Sequence, residues 1–393
     1  MMKKQIFKFV FMGSLALSVS GAGIANAAWD TGGVIPQELL DIYNDPSLDA
    51  SEKPLLEATA SPATLGIGIS AGVNVVSGAS AGTTLNRMAA LRSDSLYANL
   101  GYAPAGPAGN TSSSNILTAP GAWGKAYGTW GEQDDMDFDL GFEYDVVGLM
   151  LGYDIQSSDN WLFGINAGYS YTDLDSGINT NTDIDTINVG LYASYSNGDM
   201  YVDYGIMYSN GDIENDRTII GVTSDAANSD TSSDVLTGYI EAGRQYSLYS
   251  NLILTPYIGA MYSNVEVDGY GEKVPSNPSV GLIVDDVDDD FYSATLGVKA
   301  EYLISDILHL NYQVSWSHEF SDDLQSTTSA RFNVAGSQFF DTDGMDLDDD
   351  RIGAGIGIKY QYSPEIIFDL NYDFEGAEGF DSHTGTIGMK YNF

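Results

Sequence analysis

The chain has 393 residues, with 15 Lys and Arg against 55 Asp and Glu, a formal charge of −40 and no cysteine. This balance excludes a phosphate backbone as partner, because nucleic-acid binding needs clustered cations, and the missing cysteines exclude disulfides and thiol chemistry. Acidity alone would point to disorder, but 43% of residues are hydrophobic and there are 26 Tyr, 15 Phe and 5 Trp, so there is ample apolar surface to bury.

Lys3, Lys4 and Lys8, the apolar stretch from Phe9 to Val19 and the small residues Ala25, Asn26 and Ala27 predict a cleaved signal peptide over residues 1–27. The formal charge then moves from −40 to about −43, since three lysines leave and no acid does. The apolar stretch is too short to span a bilayer, and no later segment holds roughly 18 uninterrupted apolar residues. Any membrane insertion must therefore use strands. Residues 28–82 form a short N-terminal region, and residues 83–120 contain a helix candidate followed by a Pro/Gly/Ser-rich linker from Ala103 to Pro120.

Over residues 121–393, segments of about ten residues alternate apolar and polar, the mark of a sheet with two different faces. Leu308, Leu310, Tyr312, Val314 and Trp316 share one face, and His309, Asn311, Gln313, Ser315 and Ser317 the other. Phe368, Leu370, Tyr372 and Phe374 likewise oppose Asp369, Asn371, Asp373 and Glu375, which puts acids on an inner wall that no soluble sandwich would bury. Near the C-terminus, Ala354, Ile356, Ile358, Tyr360 and Tyr362 oppose Gly353, Gly355, Gly357, Lys359 and Gln361.

Twelve strands are predicted, at 122–131, 141–155, 160–174, 182–196, 199–213, 231–249, 252–269, 289–304, 306–320, 349–362, 365–375 and 382–393. Their connections alternate between tight turns and mostly longer loops. That is how outer-membrane barrels are built, with the tight turns on the periplasmic side. Closure is required because an open sheet edge in lipid leaves backbone groups unpaired. The expected fold is all-β: a twelve-stranded antiparallel transmembrane β-barrel, with a short N-terminal helical segment threading or plugging its pore. The last strand turns Thr386, Gly388, Lys390 and Asn392 inward and Ile387, Met389, Tyr391 and Phe393 outward. Gly388, Tyr391 and the terminal Phe393 resemble the C-terminal signature that the barrel-assembly machinery reads.

Taken in order, Gly121-Ala122-Trp123-Gly124, Gly148 to Asp154, Trp161-Leu162-Phe163-Gly164 with Gly168-Tyr169-Ser170, Pro256, Trp316 to Phe320 and Tyr391-Asn392-Phe393 resemble the translocator domain of autotransporters. Upstream, Leu39 to Pro46, Asp49 to Lys53 and Leu85 to Arg92 are similar to the helical region that precedes such barrels. The resemblance implies a pore helix that links the barrel to an exported passenger. Thr83 to Ser95 suits that role, with Thr84 as its cap. Arg87 and Arg92 would then face the inner-wall acids Asp369, Asp373 and Glu375, a pairing stronger in a pore than at the surface. About 95 residues separate Ala28 from the barrel without the repeats of long β-helical passengers, so a very small passenger, or none, is expected. Asn74 and Asn86 are unpaired in sequence, and no cleavage site is carried over.

External loops hold acid clusters. Asp341, Asp343, Asp346 and Asp348 alternate around Gly344 like part of a Ca²⁺ loop, but the twelve-residue pattern with its closing Glu is missing. Solvated acids that keep an exposed rim soluble are the simpler reading, and no other cofactor is expected. Of three histidines, His309, His318 and His383, the last two fall near the outer rim, where an omptin-type protease would need Asp-His and Asp-Asp pairs. No nucleophile elbow, HExxH or Walker loop is present. The chain is therefore expected to be a non-enzymatic, monomeric outer-membrane translocator that displays its own N-terminal segment. Its expected partners are outer-membrane lipid, lipopolysaccharide, the assembly machinery and periplasmic chaperones. A porin-like channel, and a surface adhesin or antigen acting through acidic loops, are the alternatives.

Overall fold

The computed structural model describes residues 35–45, 78–85, 88–89, 121–134, 141–156, 158, 160–176, 180–219, 226–321, 327–343 and 348–393. The predicted signal peptide, the linker from Ala103 to Pro120, Arg87 and Arg92 lie outside the described residues. Among the described residues, two helical segments precede the sheet: α1 (Gln37–Tyr43) and α2 (residues 78–85 and 88–89). No helix among the described residues is long and apolar enough to cross a membrane.

Strands cross it instead. Six long strands come first: β1 (Gly121–Gln133), β2 (Phe142–Gln156), β3 (Trp161–Ser176), β4 (Thr180–Asn197), β5 (Met200–Arg217) and β6 (Ala227–Arg244). Then follow β7 (Tyr246–Tyr249), β8 (Leu252–Val267), β9 (Tyr270–Gly271), β10 (Leu282–Val284), β11 (Val287–Ser305) and β12 (Leu308–Glu319). The chain ends with β13 (Thr327–Phe332), β14 (Phe340–Asp343), β15 (Asp350–Gln361), β16 (Ile366–Ala377) and β17 (Phe380–Asn392). Neighbours pair antiparallel, and β17 returns to β1 over a full register from Gly121↔Asn392 to Gln133↔Phe380. Closure is completed where β8 pairs with β11 and β12 with β15, each pair skipping the short strands between them. β6 and β7 are one strand broken at Gln245, whose N–H bonds the Asp199 carbonyl, so the predicted strand 231–249 starts earlier and carries an irregularity near its end. The barrel thus has twelve staves, as the alternation predicts.

Through the middle of the barrel the staves present apolar side chains outward, while the inner face mixes glycine and polar residues with buried aromatic and aliphatic ones such as Trp123, Met150 and Leu162. Leu149, Ile165, Val189, Ile206, Leu296 and Ile356 stand exposed around the outside, which in water would be an aggregation surface and in lipid is the contact band. The band has a sharp outer edge. Tyr169, Tyr171, Tyr208 and Tyr262 donate their hydroxyls to Asp185, Asp183, Asp234 and Asp290. By register each acid sits one rung farther out than its tyrosine. Amphipathic tyrosines are suited to that boundary, with the ring in lipid and the hydroxyl in the headgroup layer.

Inside, aromatic rings lie over glycines of the neighbouring strand. Trp123 covers Gly152, its register partner, and Tyr192 covers Gly164. The two rings are joined by Trp123 Nε1 donating to the Tyr192 hydroxyl at 2.8 Å, and that hydroxyl donates on to Asp154. A Cβ at Gly152 would overlap the Trp123 indole. Gly152→Val is therefore expected to cost about 1–3 kcal/mol or more by overpacking, read as a lower unfolding temperature of the heat-modifiable band on gels.

Two stretches that the sequence pattern predicts as loops, 269–289 and 320–349, depart from that expectation. Their short strands pair as a four-stranded sheet in the order β14-β13-β10-β9. Strands of two to six residues carry too little period-2 pattern to be seen in sequence, and the pairing joins two loops far apart along the chain. This sheet lies at the outer end, among Ile219 and Ala227 at the tips of β5 and β6, and forms an apolar cap with Val280, Leu282, Phe332 and Phe340. Leu39 of α1 is wholly buried in it.

Candidate functional site: the barrel lumen

The lumen is occupied by α2. Helical residues are already present at 78–82, ahead of the predicted start at Thr83. The expectation that Thr84 caps the helix is corrected: Thr84 is internal, its hydroxyl donating back to the Ser80 carbonyl at 3.2 Å, as Thr83 does to Ala79 at 2.9 Å. The helix's small residues Gly78 to Thr84 let it lie close to the wall, while Ala81, Leu85 and Met88 recur at helical spacing and pack into one apolar cluster.

Docking combines hydrogen bonds to one side of the wall with apolar packing that reaches several strands. Asn166 of β3 donates to the Thr84 hydroxyl at 2.9 Å, Asn188 of β4 reaches Ser80 Oγ at 3.4 Å, and Ser80 meets the Tyr127 hydroxyl of β1 at 3.2 Å. Ala79 packs in a cluster with Tyr127, midway along β1, and with Phe142 and Phe380 at the outer ends of β2 and β17, whereas Met88 packs with Trp123 and Leu162, near the periplasmic ends of β1 and β3. The helix therefore runs from the outer mouth inward, with residue 78 at its outer end. On the opposite side, a cavity of about 410 Å³ remains between α2 and the β8, β11, β12, β15 and β16 wall.

The wall carries its own counter-ions. Lys125 lies 3.5 Å from Asp369, Arg351 is 3.2 Å from Glu375, and Gln313 donates to Asp373 at 2.7 Å. Lys299 bonds both oxygens of Glu241 at 2.7 and 2.8 Å, while Glu301 takes His309 at 2.8 Å and Lys359 at 3.6 Å. Asp369, Asp373 and Glu375 line the lumen cavities and have partners on the wall itself. Arg87 and Arg92, proposed to meet them, lie outside the described residues. Sequence reasoning passed over Lys125, Lys299, Glu241 and Glu301, although inward parity in the alternation was a signal for each. Gly388 stands between Lys125 and Asp369 in register, and the Asp369 carboxylate fills the space a side chain there would need.

Other predicted positions fall elsewhere. Tyr391 and Phe393 face lipid, with ring centroids 5.2 Å apart, and Phe393 also meets Tyr153 at 6.0 Å. His318 and His383 point outward into aromatic groups of the outer girdle. His318 stacks on Trp316 and His383 on Trp130, with Asp350 and Asp381 as partners at 3.0 and 2.9 Å. They line no cleft together with paired acids. Asp341 lies in β14, and the Asp348 carboxylate accepts the backbone N–H groups of Asp350 at 3.0 Å and Glu378 at 3.2 Å, which hold its pKa below the usual carboxylate range. Asp346 and the Asp343 side chain lie outside the described residues, and among the described residues no group of three acids or histidines is placed to hold a metal ion.

A closed twelve-stranded barrel with a bilayer-height apolar band and a helix in its lumen is the architecture of an outer-membrane translocator. The family model described as autotransporter beta-domain matches residues 122–373. The chain belongs to the autotransporter β-domain family, resides in the outer membrane, and its barrel is non-catalytic. Among solved structures it is similar to the translocator domain of the autotransporter NalP from Neisseria meningitidis, with a TM-score of 0.60, 16% identity, and coverage of 81% of this chain and 98% of that one. It is also similar to the β domain of the Bordetella autotransporter BrkA, with a TM-score of 0.53, 18% identity, and coverage of 70% and 100%. In sequence it is 22% identical to an extracellular serine protease of Serratia marcescens over 70% of this chain and 26% of that protein. It is 21% identical to outer membrane protein B of Rickettsia prowazekii over 70% of this chain and 17% of that protein. The match thus spans about a quarter of the first relative and less of the second.

Proposed function

We propose that this barrel passes its own N-terminal region to the cell exterior and holds it there through α2. The orientation of α2 carries this reading, because Ala79 sits at the outer end and Met88 at the periplasmic end. An epitope tag placed before Ile35 should be detected on intact cells. Detection only after the outer membrane is permeabilised would sink the proposal. What the relatives' names describe, proteolysis and ester hydrolysis, belongs by this reading to segments outside the barrel, and no catalytic role is assigned to residues 121–393.

Assembly is proposed to depend on the barrel-assembly machinery and periplasmic chaperones, with lipid and lipopolysaccharide as the final surroundings of a monomer. Gly388, Tyr391 and Phe393 are proposed as the recognition signal. Phe393 is 71% exposed and packs only at the lipid face, so its loss should barely affect the finished barrel. Deleting Phe393 is therefore expected to lower the amount of folded barrel several-fold in cells, while refolding in detergent proceeds as for the full chain. Equal losses in both settings would make Phe393 a stability residue instead.

A further inference from the structure

The outer cap has a second feature that export alone does not require. Its four strands hold two to six residues each, in segments supplied by two separate loops. So small a sheet cannot by itself enclose an apolar core. α1 is equally dependent. Its seven residues are fewer than an isolated helix needs in water, and its N-cap Pro36 makes no side-chain cap. Yet Ile35, Leu39, Ile42 and Tyr43 recur at helical spacing on one face and pack into the cap, with Leu39 fully buried among residues such as Leu282 and Phe332. The other face shows Gln37 and Asp41, which bond each other at 2.8 Å.

We propose that the β9–β10–β13–β14 cap is a docking site for the chain's own residues 35–45, which keeps the exported N-terminal segment clamped to the barrel's outer surface rather than free in the medium. This rests on the export reading above. Neither partner is stable alone, so folding of α1 and closure of the cap are one event. That event can occur only after residues 35–45 have passed the lumen, because the cap lies at the outer ends of β5 and β6. Docking would then add a favourable step at the outer side of the pore and oppose backward sliding of α2.

The chain has no cysteine, which permits a direct test with a membrane-impermeant maleimide on intact cells carrying the full-length protein. Gln37→Cys should label readily, and Leu39→Cys at least about ten-fold more slowly, because labelling requires local undocking. Adding Phe332→Asp to Leu39→Cys should bring its rate up to that of Gln37→Cys. Equal rates for the two single variants would overturn the docking proposal while leaving export standing. Labelling of Gln37→Cys only after permeabilisation would instead overturn export. As a second measurement that leaves the cap strands themselves unaltered, Leu39→Asp should make the 270–343 region several-fold more sensitive to added protease, with barrel migration on gels unchanged. Unaltered protease resistance would also overturn docking.

Discussion

Deleting residues 35–89 is expected to raise the single-channel conductance of the reconstituted barrel by about an order of magnitude, because twelve staves enclose a lumen that side chains alone do not fill. α2 lies against β1, β3 and β4 through Tyr127, Asn166 and Asn188, and a cavity of about 410 Å³ remains beside it. Once the helix is gone, the exposed wall carries Lys299 with Glu241, Lys125 with Asp369 and Arg351 with Glu375, a surface that water wets readily. Deleting only residues 35–45 should leave conductance low, which separates the contribution of α2 from that of the cap. If the longer deletion conducts no better than the full chain in planar bilayers, α2 is not what blocks the pore.

Glu272→Ala should have the second largest effect, confined to the outside of the cell. Glu272 and Arg217 are each 1% exposed. Arg217 Nε donates to Oε1 at 2.8 Å, its Nη2 donates to Oε2, and the Leu282 N–H donates to Oε2 at 2.7 Å. One carboxylate thereby ties the tip of β5 to β10. Removing Glu272 takes away the carboxylate that Arg217 grips with two donors in a buried site, and breaking such a pair costs roughly 3–5 kcal/mol, more than a cap of four short strands can absorb. Neighbouring Tyr270 has its phenol pKa pushed up first by burial and then by the Glu272 charge, with Arg217 pulling it down; burial, the largest cause, persists in the variant. The variant should lose protease resistance at the cap while the barrel keeps its heat-modifiable migration, since the pair lies beyond the membrane band. Replacing both residues together, Arg217→Met with Glu272→Leu, should cost much less than either single change. A cap as resistant in Glu272→Ala as in the native chain would show that the pair contributes little.

The barrel was legible because its cause is local. A strand between lipid and lumen must alternate, and Leu308 to Trp316 or Phe368 to Phe374 state that alternation without help from the rest of the chain. Strand number, inward acids and the outward terminal Phe393 follow from the same period of two. Helix α2 was only half legible: its first turns are small and polar residues with weak helical pattern, so its extension back to residue 78 and its internal Thr84 depend on contacts with β1, β3 and β4. The pairings of Asp369, Asp373 and Glu375 with Lys125, Gln313 and Arg351 required the register between distant strands.

The cap was not legible at all. β10 pairs with β13 across more than forty residues of sequence, Arg217 finds Glu272, and Leu39 finds a core assembled from two loops. By itself the sequence determined that this chain is a lipid-facing barrel, since each residue's solvent is set by its parity in a strand. Only the tertiary structure decided that the pore is filled and that its outer mouth carries a docked N-terminal helix, because both depend on surfaces made by residues that are neighbours in space and not in the chain.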